Sequence, residues 1–230
     1  MELTSVEDEA ALKVQSMLSG ATPTWPVLLD ALKARVGEEG RSEAERAMDV
    51  LHSLSSVSSD HPSMSAYLDH PVRVAWLLLR VQRDVTAHSV VTALLHNVYE
   101  VGGLDERGLA SRGVPEHVAR HVRLLTIDRS LEADRRYLEG FYGAIEAAGP
   151  ELSLIRTLDK LDNLLGLQLL EDGPVRESYL DLAVAFVEPM AYRLSPELGA
   201  FFAALAEYMR VTPCSPELRA RYDALVEGVS

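Results

Sequence analysis

Apolar residues along this chain recur at helical spacing. Between Val72 and Val81, the residues Leu77, Leu78 and Val81 follow Val74 at three, four and seven positions, so they share one helix face. No stretch sustains the alternation of a half-buried strand. The run Val90-Val91-Thr92-Ala93-Leu94-Leu95-His96-Asn97-Val98-Tyr99 is nearly all apolar, which predicts a buried helix carrying an embedded polar pair. Start signals stand at Thr4, Ser42, Pro115, Ser130, Pro150, Ser195 and Ser215, the last two followed by Pro. Breaks are expected at Gly37-Glu38-Glu39-Gly40, Gly102-Gly103, Gly149-Pro150 and Gly173-Pro174. The Ser-rich stretch from Ser53 to Ser65 reads as a loop. The pattern predicts an all-α bundle of about ten short helices.

Composition narrows the class. With 230 residues and 47% apolar content the chain can bury one good core. A formal net charge of −13 disfavours a nucleic acid polymer or an anionic membrane surface as partner, since both require a basic footprint. A small anionic, phosphate-containing ligand stays open, given a local cluster of cations. The single cysteine, Cys214, forms no internal disulfide. The acidic start has no basic, apolar leader pattern, and no run is long enough to span a bilayer, so a cytoplasmic location is expected.

Three segments concentrate the chemistry. His70 precedes Pro71, which places it at a loop-to-helix junction. His96 and Glu100 are four apart and would share a helix face. Asp159, Asp162 and Asn163 share a face of an apolar helix, where a carboxylate needs a cation: Arg156, Lys160 or a metal. A buried histidine hydrogen-bonded to a neighbour and an ordinary Asp159 ion pair account for these residues one segment at a time. His117 and His121 have a spacing that suits zinc but no third ligand nearby in sequence, so they read as a solvated face, and His88 shows no partner pattern.

Taken together, Tyr67-Leu68-Asp69-His70-Pro71, then Ala93-Leu94-Leu95-His96-Asn97-Val98-Tyr99-Glu100, then Leu158-Asp159-Lys160-Leu161-Asp162-Asn163 resemble the HD superfamily of metal-dependent phosphohydrolases, in particular its RelA/SpoT-type, small alarmone hydrolase-like branch. The resemblance covers roughly residues 45–195. It implies an HD-type helical core over 45–195, preceded by a helical extension, 1–44, and followed by C-terminal helices, 196–230, that pack on the core. It implies metal ligands His70, His96, Asn97 and Asp159, and Glu100 as the catalytic residue that handles the attacking water. Substrate-binding positions would be Tyr67, Arg73, Lys160, Asn163, Arg176 and Tyr179. The implied cofactor is a divalent metal, Mn2+ first, with Fe or Zn compatible with the same donors. The implied activity is hydrolysis of a nucleotide or related phosphate ester, including guanosine tetraphosphate-like pyrophosphate chemistry.

Three departures run against that activity. Asn97 stands where the family has a carboxylate, so a neutral amide replaces an anionic ligand. Val101 stands where a second acidic residue would be. Ser58-Ser59-Asp60 replaces an upstream Arg-Lys pair. They support a different reading: a catalytically impaired protein that binds a nucleotide or protein partner without turnover.

Overall fold

The computed structural model describes residues 3–19, 25–54, 64–101, 103–169 and 173–227. Every regular element among them is helical, as the apolar spacing predicts. The α-helices are α1 Val6–Ser19, α2 Trp25–His52, α3 Met64–Val81, α4 Ala87–Leu95, α5 Val98–Val101, α6 Glu106–Ala110, α7 Glu116–Leu125, α8 Arg135–Ala148, α9 Pro150–Leu165, α10 Pro174–Leu182, α11 Glu188–Leu194, α12 Pro196–Val211 and α13 Pro216–Glu227. A five-residue π-helical turn, Ala183–Val187, joins α10 to α11. None of the described helices is long and apolar enough to cross a membrane.

The chain forms two compact units, residues 25–155 and residues 1–24 with 156–230. Within the first, α4 is the central element. It packs against α2, α3 and α7, and every residue from Ser89 to Leu95 is buried. A helix apolar all round requires cover on all sides, and these neighbours provide it. Thr86 starts it by accepting the Ser89 N–H at 3.0 Å. In the second unit α11 and α12 form the tightest pair, with α1 against α12 and α13. Here Lys13 reaches Asp162 at 2.7 Å, with both side chains almost wholly buried.

Several expected boundaries hold, and the others move for identifiable reasons. Gly37, at φ 76°, kinks α2, a backbone that glycine adopts without strain. Ser195 caps α12 by accepting the Leu198 N–H at 3.0 Å, and Gly149 ends α8 just before α9 begins at Pro150. Ser42, however, lies inside α2, and Ser130 lies in a one-turn 3-10 segment; α8 is instead capped by Asp134, whose carboxylate accepts the N–H groups of Arg136 and Tyr137. Capping depends on which side-chain oxygen faces the open N–H groups, and Asp serves as well as Ser. The Ser53 to Ser65 loop falls largely on residues 55–63, outside the described residues, and α3 already begins at Met64.

His70-Pro71 therefore lies within α3 and not at its start. Proline has no N–H to offer the Tyr67 carbonyl, so α3 lacks one backbone bond there. In the second unit, Gly199 faces Tyr192 so closely that a Cβ on it would fall 2.3 Å from the ring and 2.7 Å from the Tyr192 Cα. Gly199→Ala is expected to lower stability by about 1–3 kcal/mol, read as a lower urea midpoint; an unchanged midpoint would contradict this packing.

Candidate metal centre

Within residues 25–155 the feature that stands apart is a pair of buried imidazoles. His70 comes from α3, and His96 follows the last residue of α4; their Nε2 atoms are 3.2 Å apart and the rings meet edge-on. Only 8% of His70 and 2% of His96 is exposed. His96 Nδ1 lies 2.8 Å from the Ala93 carbonyl oxygen. A carbonyl can only accept, so Nδ1 carries a hydrogen, and the tautomer this selects has its Nε2 lone pair towards His70. A backbone carbonyl fixing the far nitrogen in this way is how proteins set the tautomer of a ligating histidine.

The chain turns at His96-Asn97, where helix was expected, and α5 starts anew at Val98. The Asn97 carbonyl accepts the N–H groups of Glu100 and Val101 at 3.1 and 3.2 Å, closing the short helix. This break removes the continuous helix face that His96 and Glu100 were expected to share. Glu100 is nearly buried. Its Oε1 accepts the Ile127 N–H at 3.2 Å, and its Oε2 lies 3.3 Å from Arg129; neither contact runs to an imidazole. Val101 is buried, which suits valine where a carboxylate would need a partner. Arg73 is half-buried on α3, and Tyr67 lies on the same helix with its side chain outside the described residues.

In the second unit, Asp159 gathers several of the predicted residues around one carboxylate. Asn163 Nδ2 donates to Oδ1 at 2.9 Å, Arg156 donates to Oδ2 at 2.9 Å, and the Lys160 Nζ is 3.9 Å from Oδ2. The pairing with Arg156 that explains Asp159 in ordinary terms is thus present. Lys160 also lies over the Tyr179 ring, 5.1 Å from its centre. Arg176 stands apart from this group. Its guanidinium is buried and donates to the carbonyl oxygens of Leu167, Met209 and Thr212, tying α10 to neighbouring backbone.

No protein-family model and no curated protein matches this chain. Among solved structures, the chain is similar to one described as "A metazoan ortholog of SpoT hydrolyzes ppGpp and plays a role in starvation responses", at 20% identity and a TM-score of 0.49. That match covers 84% of this chain and 96% of that one.

Burial, and secondarily the charge of Asp159, pushes the Tyr179 hydroxyl up to about 12, although Lys160 and Arg156 oppose the rise. The folded chain therefore keeps a proton on Tyr179 that the unfolded chain releases near pH 10, so Tyr179 makes folding less favourable as pH rises from 10 towards 12. An alkaline absorbance titration at about 295 nm of wild type minus Tyr179→Phe should show a midpoint near 12; a midpoint at the free-tyrosine value would contradict this burial.

Proposed function

We propose that this chain is a metal-dependent phosphohydrolase of the HD type, acting on a nucleotide or related phosphate ester, with His70 and His96 as ligands of a divalent ion and Asn97 beside them in sequence. The carrying observation is the imidazole pair. Two nitrogens 3.2 Å apart match the spacing of neighbouring ligands that share an ion at about 2.1 Å each. The donor set also fits. Paired imidazoles with an amide oxygen next in sequence are compatible with Mn2+, and also with Fe or Zn. Such an ion, when bound, polarises the phosphoryl group and stabilises charge developing on its oxygens.

The chain's own groups would do the rest. Glu100 would take the proton of the attacking water, with Arg129 beside it setting its charge balance. Following the resemblance, Lys160 would offer a cation to phosphate oxygens, Asn163 and Tyr179 polar and ring contacts to the rest of the substrate, and Arg73 and Tyr67 further contacts. The resemblance to alarmone hydrolases makes a guanosine tetraphosphate-like pyrophosphate the first substrate to try.

A second reading rests on the site itself. Asn97 brings no negative charge, Val101 is apolar, and Glu100 is already engaged by a backbone N–H and Arg129. These features suit binding of a phosphate ligand without turnover.

Metal analysis of the purified chain and a nucleotide-phosphate hydrolysis panel with added Mn2+ test the first reading. The expected result is one bound transition metal and released product, both lost in His96→Ala; a metal-free chain that stays inert with Mn2+ would overturn it. Asn97→Asp separates the two readings, because one added ligand charge should tighten metal binding about tenfold or more. A large gain in turnover marks a site weakened by the amide. Unchanged turnover at tighter metal binding marks a site that does not use the carboxylate in its chemistry.

A further inference from the structure

A second histidine cluster lies within residues 25–155, apart from the residues assigned above. His88, in the first turn of α4, faces His117 in the first turn of α7. His88 Nδ1 and His117 Nε2 are 3.0 Å apart, and the rings meet edge-on with centres 4.3 Å apart. His121 lies one turn further along α7, its ring centre 6.1 Å from that of His117. Behind His88, on α2, Glu43 places its Oε2 3.8 Å from His88 Nε2.

Two atoms here are unusual. His121 Nδ1 and Glu43 Oε2 are buried, and neither has a hydrogen-bond partner. Buried polar atoms in native proteins are nearly always satisfied, so two orphans around one close imidazole pair call for an explanation. A shared cation supplies one. It would take the lone pairs of His88 Nδ1 and His117 Nε2, and it would draw in His121. The carboxylate of Glu43 would then hold the far nitrogen of His88, the arrangement that orients metal-bound imidazoles.

We propose that His88, His117 and His121 form a second site for a zinc-type transition-metal ion, with Glu43 as the positioning residue behind His88. The 3.0 Å nitrogen spacing suits two ligands sharing an ion at about 2.0–2.1 Å each. His117 and His121 have the i, i+4 spacing with which one helix face presents two imidazoles to zinc. Taking the ion requires the His121 ring to close towards the pair. His88 is 44% exposed, which gives the ion access from solvent and leaves room for water as a fourth ligand. Charged groups nearby include Glu116, Arg120 and Glu151. Arg120 opposes a cation, but Glu116 lies 3.6 Å from it and offsets its charge. Burial first, then the neighbouring His88, His121 and Arg120, lower the pKa of His117, against the pull of Glu151, which favours the unprotonated ring that a metal needs.

Zinc titration by calorimetry at pH 7, on the full chain, tests this with Zn2+ alone as the probe. His96→Ala, which disables the first site, should still bind one zinc ion. In that background His88→Ala and His117→Ala should each weaken binding at least about 100-fold, and Glu43→Gln about 10- to 100-fold. Zinc should also shift the 15N imidazole resonances of His88 and His117. A folded His96→Ala chain that binds no zinc would overturn the proposal. So would binding that is indifferent to His88→Ala and His117→Ala. Should an alanine variant fail to fold, His88→Gln, at a partly exposed position, takes its place with the same expectation. The two sites fail separately, since the ion at the first depends on His96 and the ion at this one on His88.

Discussion

Two imidazole nitrogens held 3.2 Å apart in a buried place cannot both point hydrogens at each other. Either one donates to the other, or both lone pairs converge on a cation. The backbone decides half of this choice, because the Ala93 carbonyl takes the Nδ1 hydrogen of His96 and leaves its Nε2 as an acceptor. That bond exists because α4 ends at Leu95 and the chain turns at His96-Asn97. Had the helix run on, the ring would have lain on a continuous apolar face.

Each unit carries polar features that packing has to offset. On α3, Pro71 follows His70 directly and forfeits one backbone bond inside the helix, a feature that packing must offset. In the other unit, Asp159 and Asp162 are carboxylates on an apolar helix, and each sits against a cation, Arg156 and Lys13 respectively. Removing one member of such a pair strands a buried charge and costs about 3–5 kcal/mol, so a change at either cation would act on folding before it acted on chemistry. Asn97 is neutral and the buried Val101 is apolar, so neither brings a carboxylate to this part of the chain. A site with fewer carboxylates is easier to bury and weaker as a metal trap.

Much of this was legible in the sequence. Helical spacing of apolar residues identifies the class, and Gly37, Gly149, Pro150 and Ser195 act where their backbone chemistry says they should. Residues one or two turns apart on one helix were also readable: the contacts of Asp159 with Arg156, Lys160 and Asn163 follow from spacings of three, one and four. What escaped depends on tertiary choice. Nothing local shows that α4 stops at Leu95, since the apolar run continues through Val98. Asp134 displaces Ser130 as a cap because its carboxylate faces the open N–H groups. Glu100 turns to Ile127 and Arg129, partners more than 25 residues away. His88 lacks a partner pattern for the same reason: His117 lies 29 positions on, and only the packing of α4 against α7 brings the rings together.

As metal ligands, the paired imidazoles of His70 and His96 would leave a signature that a buried hydrogen-bonded couple would not. X-ray absorption at the manganese edge, on the chain loaded with one equivalent of Mn2+, reads this directly. Outer-shell scattering from two imidazole rings is expected, falling to one or none in His96→Ala; a spectrum with oxygen scatterers alone, unchanged by that substitution, would contradict ligation by this pair.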